Sequence, residues 1–143
     1  MNGRNQKLEI EEAILAGECA LKSLQQAGQE LNSARGWGIV DILGGGILSS
    51  YLKHECIGRA RDLADKAARD MDLFLAQLDD VPMSDPPLIR FDGLTQAFDI
   101  FFDNIFTDVM VQSRLADMQN QLAACEADVR RALSRLYRLK ETL

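Results

Sequence analysis

The sequence predicts an all-α fold: an antiparallel bundle of three long helices, or four if the last is broken near residue 106, with coiled-coil-like packing. Three observations carry that expectation. Apolar residues recur every seven positions along three separate stretches, the signature of a helical seam. Alanines recur with the same spacing in the first two of them. Strand signals are nearly absent, and all three prolines fall between residues 82 and 87. With 143 residues the chain has the usual length of one domain and can bury a core, so a single domain over 1–143 is expected.

The first helix is expected over about 5–35. Ile10, Gly17, Leu24 and Leu31 form one seven-residue column, with Ile14 and Leu21 beside it, and Ala13, Ala20, Ala27 and Ala34 form a second. A column of alanines lets a neighbouring helix approach closely. Residues 36–52 follow, holding five of the ten glycines, the only tryptophan and a single charge, Asp41. Gly36 and Gly38 flank Trp37 where the first helix should end, since glycine tolerates positive φ. Asp41 is placed to cap a helical turn. Trp37, Gly44, Gly45 and Gly46 read as a structural elbow, whose bare glycines leave room for another backbone.

A second helix is expected over about 47–79. Ile57, Ala64, Met71 and Leu78 make one column, and Ala60, Ala67 and Phe74 the other. Its alanines match those of the first helix, so the two should pair as a hairpin. Proline lacks an N–H and restricts the residue before it, so Val-Pro-Met-Ser-Asp-Pro-Pro ends this helix and 80–92 is a loop. Helical sequence resumes over about 94–105, where phenylalanines concentrate, and again over about 107–141. In the last stretch Leu115, Leu122, Val129, Leu136 and Leu143 repeat every seven residues, with Met118, Cys125, Ala132 and Leu139 as the second column.

Composition narrows the class. A hydrophobic fraction of 47% and a charged fraction of 27% are those of a globular chain. A net charge of -6 argues against nucleic acid, which selects clustered Lys and Arg, and against anionic membranes. Cys19, Cys56 and Cys125 are widely spaced and odd in number, and read as buried reduced thiols of a cytoplasmic protein. The N-terminus lacks the apolar core of a signal peptide. The glycine-rich run spans 17 residues, short of the roughly 20 apolar residues of a spanning helix, so a membrane role is disfavoured.

Few residues can carry chemistry. Gly44-Gly45-Gly46 is followed by Ile-Leu-Ser-Ser and not by the Lys-Ser or Lys-Thr of a phosphate loop, and no strand precedes it. His54 is the sole histidine, so no multi-histidine metal site exists, and inward Glu-x-x-His pairs are absent. No metal and no cofactor are expected. One His cannot complete a nucleophile–base–orienter triad in the absence of an elbow serine, so the chain does not read as an enzyme. Lys53 and His54 interrupt one seam, while Asn104 and Asp108 interrupt another. Buried charges require partners, so Lys53 or His54 should pair with Asp41, Asp103 or Asp108. Such a layer fixes helix register or holds a small ligand.

Trp37, Asp41, Gly44-Gly45-Gly46 and Lys53-His54, followed by Phe102-Asp103-Asn104 and Asp108-Val-Met-Val-Gln112, resemble a pattern in uncharacterised bacterial all-helical proteins. The resemblance covers about 13–140 and implies that these positions form one unit; it brings no activity with it. The expected function is a non-enzymatic interaction or scaffold protein with a protein partner or a second copy of itself. The alternatives are a ligand- or metal-binding protein built on Lys53 and His54, or a membrane-associated protein using 36–52.

Overall fold

The computed structural model describes residues 3–33, 47–83, 94–104 and 111–143, with side chains except at 3–4, 33, 47–57, 95, 103–104 and 111–115. Four helices occupy these residues: α1 (Gly3–Ser33), α2 (Ile47–Asp79), α3 (Leu94–Asn104) and α4 (Val111–Glu141). No strand occurs among the described residues. The Trp37 and Gly44–Gly46 elbow and the continuity of the last helix through 105–110 lie outside them.

Helix α1 is the centre of the bundle. It packs along α2 on one side and α4 on the other, while α3 lies against α2. The alanine seams explain the α1–α2 contact. Ala13, Ala20 and Ala27 of α1 and Ala60, Ala64 and Ala67 of α2 are completely buried. Methyl groups on both sides leave little between the two backbones. The larger residues of the same columns, Ile10, Leu24, Leu31, Met71 and Phe74, fill the remaining depth. Burying each such side chain contributes about 1.5–3 kcal/mol.

Gly17 lies at Phe74, Ser23 at Asp70, and Glu30 stands 3.7 Å from Arg59 on α2. Towards α4, Glu11 is 3.7 Å from Lys140, Glu18 meets Tyr137, and Asn32 is 3.4 Å from Gln119. The three long helices meet at Gly17. A Cβ there would stand 2.7 Å from Leu133 Cδ2 of α4 and 2.8 Å from Phe74 Cε1 of α2. Only hydrogen fits.

Helix α2 ends where the prolines require. The N–H groups of Asp80 and Val81 bond back to the carbonyls of Gln77 and Leu78 at 3.2 and 3.1 Å, tightening the last turn before Pro82. Val81 turns inward and is buried. The phenylalanines of α3 form the bulky part of the core. Phe101 meets the Phe102 ring edge-on at 5.1 Å, and Phe98, Phe101 and Phe102 are all buried. Arg61 of α2 holds α3 in place, 5.8 Å from the Phe102 ring centre and 3.7 Å from Asp99.

Two expectations fail locally. Leu143 does not complete its column: α4 stops at Glu141 and Leu143 is 55% exposed. The seam ends with Leu136 fully buried and Leu139 partly so. Cys19, expected inside, is exposed, whereas Cys125 is buried as anticipated. Cys19 directly precedes Ala20 of the alanine column, and one residue along a helix is a turn of about 100°, enough to leave the seam.

Candidate functional site

The chain leaves α1 just beyond Asn32, which pairs with Gln119 near the start of α4. The Glu30–Arg59 pair puts the first half of α2 at the same level, and the contacts of Arg61 with Asp99 and Phe102 add α3. One end of the bundle therefore gathers the end of α1, the beginnings of α2 and α4, and α3. Lys53 and His54 stand in the opening turns of α2, and Asp103 next to the last residue of α3; their side chains are not among those described. Asp41 and Asp108 lie outside the described residues.

The polar cluster with described side chains is a different one. Ser23 of α1, only 2% exposed, donates its hydroxyl to Asp70 Oδ2 of α2. Lys66, one turn before Asp70, donates to Ser23 Oγ at 2.9 Å and to Asp70 Oδ2 at 2.8 Å. Burial pushes the Asp70 carboxyl up, but the hydrogen bonds from Lys66 and Ser23 outweigh it and hold the group below its ordinary value of 3.8. The serine proton is committed to the carboxylate and its oxygen to the ammonium. Ser23 is thus a clamp between helices and not a nucleophile. A one-turn slip of α1 along α2 would break both bonds to Ser23 and leave only the Lys66–Asp70 pair within α2, so the cluster fixes register.

Asp128 of α4 is completely buried, and Arg131 reaches back to it from the surface. Buried carboxylates need such a partner. Cys125 lies one turn before Asp128. Burial first, then the nearby charges of Asp128 and Glu126, push its thiol up to about 12. Metal binding and nucleophilic attack both require the thiolate, so Cys125 is inert near neutral pH. Tyr137 donates its hydroxyl to Glu18 of α1, and that bond, with burial and the carboxylate charge, raises the phenol above its ordinary value of 10.0.

Two open grooves flank α4. One, about 540 Å³, runs between α1 and α4 and is walled by amides, among them Gln25, Gln29, Asn32 and Gln119. Gly28 forms part of its floor, where a Cβ would find only Glu126 Oε1 at 3.8 Å. The other, about 290 Å³, lies between α3 and α4, with Phe101, Met118 and Ile100 below and Asp117 and Gln121 at its rim. Neither brings together an acid, a base and a nucleophile. Among the described residues no three His, Cys, Asp or Glu side chains are placed to hold a metal ion, and no helix is long and apolar enough to cross a membrane.

Sequence reasoning passed over Ser23 and Asp128. Ser23 had a usable signal: Ala16, Ala20, Ser23 and Ala27 follow i, i+4, i+7, i+11 spacing, a stripe of small residues on one face. Asp128 had a weaker one, a lone acid beside Val129 in a seam. No protein-family model matches the chain, and no curated protein or solved structure matches it.

Proposed function

We propose that this chain is a non-enzymatic, antiparallel helical-bundle protein of the cytoplasm that acts by binding another protein or a second copy of itself through its outward helix faces. The observation that carries this reading is an outward apolar line on α1. Leu8 and Leu15, seven residues apart and so on one face, are 54% and 63% exposed. Leu73 of α2 is 54% exposed as well. The interior supports the same reading, because its polar groups Ser23, Asp70 and Asp128 are taken up by ties that hold the fold. Native mass spectrometry of the purified protein, alone and after capture from its own cell extract, tests the proposal. A dimer or a stoichiometric protein partner supports it; a strictly bare monomer in both samples, or turnover of a small molecule, would sink it.

A second reading is favoured by one observation. The helices that carry Lys53, His54 and Asp103 meet towards one end of the bundle. A small-ligand or metal site there is the alternative role, and the same spectra decide it: a stoichiometric ion or small molecule would replace the interaction reading.

A further inference from the structure

Helix α1 carries a second seven-residue pattern on its outward side. Leu8, Glu12, Leu15, Cys19 and Lys22 follow i, i+4, i+7, i+11, i+14 spacing, that of the two core columns of a coiled coil. All five are exposed, Leu8 and Leu15 at 54% and 63%. Two residues along a helix make a turn of about 200°, so this line lies opposite Gly17 and Leu24, which face the core. Gln26, which continues the line, is half-buried. Among the described residues neither Glu12 nor Lys22 takes part in an ion pair.

The line is complementary to itself only when reversed. Two copies running in the same direction and in register would oppose Glu12 to Glu12 and Lys22 to Lys22, and like charges repel. Turned end for end about a two-fold axis at the level of Gly17, the copies bring Glu12 against Lys22 twice and Leu15 against Cys19 twice, with Leu8 against Gln26. Sliding one copy by seven residues either way sets Leu15 against Glu12 or Gln26 and parts Glu12 from Lys22. Glu18, the acid nearest the axis, is held towards α4 by its bond from Tyr137.

We propose that a second copy of the chain docks on this face, the two α1 helices antiparallel about a two-fold axis at Gly17, with Glu12 of each copy paired to Lys22 of the other and Leu15 packed on Cys19. This rests on the interaction reading above and names its partner. Leu8 and Leu15 supply the apolar contact. The charges set direction and register, as polar groups in helical interfaces do. Glu12 and Lys22 lie about 15 Å apart along one helix at 1.5 Å per residue, so neither can pair with the other within a chain. The same surface is used by both copies, so assembly closes at a dimer.

The test is sedimentation equilibrium of the full chain from about 10 to 500 µM. The expected result is a monomer–dimer equilibrium. Glu12→Lys and Lys22→Glu should each weaken it at least tenfold with an unchanged circular dichroism spectrum. The double variant, Glu12→Lys with Lys22→Glu, should return to within threefold of the wild type. An equimolar mixture of the two single variants should dimerise at least tenfold more tightly than either alone, since each then offers the charge that the other lacks. Single variants that dimerise like the wild type, or a mixture no tighter than its components, overturn the proposal. So does a Cys19–Cys19 disulfide formed by mild oxidation of the dimer. In the antiparallel register the two Cys19 residues are offset by about 6 Å along the axes as well as across the pair, beyond the roughly 7 Å between Cα atoms that a disulfide spans. A wild-type monomer that captures a different protein overturns the proposal and leaves the broader interaction role standing, whereas a monomer that captures nothing overturns both.

Discussion

Three glycines within helices allow the packing at the centre of the bundle to be measured against its own background. Glycine inside a helix costs about 0.8–1.0 kcal/mol relative to alanine. Gly58→Ala should recover that amount, because a Cβ there has nothing within 4 Å. Gly28→Ala should do nearly as well, since its Cβ meets only Glu126 Oε1 at the ordinary distance of 3.8 Å. Gly17→Ala gains the same helix propensity and loses more. Its methyl would stand 2.7 Å from Leu133 Cδ2 and 2.8 Å from Phe74 Cε1, well inside the roughly 3.5–4 Å of carbon contacts. Phe74 is fully buried and Leu133 nearly so, on opposite sides, so neither yields without disturbing the core. Overpacking of this kind costs about 1–3 kcal/mol. The net change at Gly17 is then a loss of about 0–2 kcal/mol, placing it about 1–3 kcal/mol below Gly28→Ala. That corresponds to a gap of roughly 3–9 °C in Tm, at about 3 °C per kcal/mol for a chain of this size. Urea unfolding followed by circular dichroism reads the series. A Gly17→Ala protein as stable as Gly28→Ala would refute the three-helix contact at that residue.

Other outcomes follow from the polar groups. Asp70 has a folded-state pKa below its ordinary 3.8, so the stability it contributes is present above that value and lost as pH falls through the lower folded one. Asp70→Asn should cost about 0.5–1.5 kcal/mol at pH 7, and the gap from wild type should close as acid unfolding curves are taken below pH 4; a gap unchanged at low pH would contradict the Ser23–Lys66–Asp70 clamp. The thiols should divide sharply. With iodoacetamide at pH 8 and peptide mass spectrometry, Cys19 should be labelled in the native protein and Cys125 only in denaturant, since Cys125 is buried with its pKa pushed up to about 12. Equal labelling rates for the two would show that α4 is not seated as described.

The fold was legible where one rule dominated. Seven-residue columns place Ile10, Leu24, Leu31, Met71, Leu122, Val129 and Leu136 in the core, and each is buried, because seam periodicity and burial are the same physical fact on a helix. The alanine columns went further and pointed to the pairing of α1 with α2, which pack along each other. What the pattern missed depends on pairs of residues distant in sequence. Ser23 becomes a clamp only when Asp70 stands opposite it, 47 positions along. Gly17 reads as a gap in a column, and only the presence of Leu133 and Phe74 turns the gap into a requirement. The polar residues that interrupt the columns, Lys53 and His54, are the reverse case. Their type drew attention in the sequence, and the backbone adds only that they share a bundle end with α3 and the beginning of α4.

The two faces of α1 separate stability from function. Its inner face is filled by Ala13, Gly17, Ala20 and Leu24, all buried, and at Gly17 an added methyl would meet two neighbouring helices. Leu8 and Leu15 point outward, and substitutions at such positions away from the core change stability by only about 0.5 kcal/mol. Leu8→Gln with Leu15→Gln should therefore unfold in urea at nearly the wild-type midpoint. The same protein should lose any self-association or partner capture that the native chain shows by mass spectrometry. A variant that stays folded and still associates would move the contact away from α1. A variant that unfolds early would mean that these leucines belong to the core after all, so the two failures cannot be mistaken for each other.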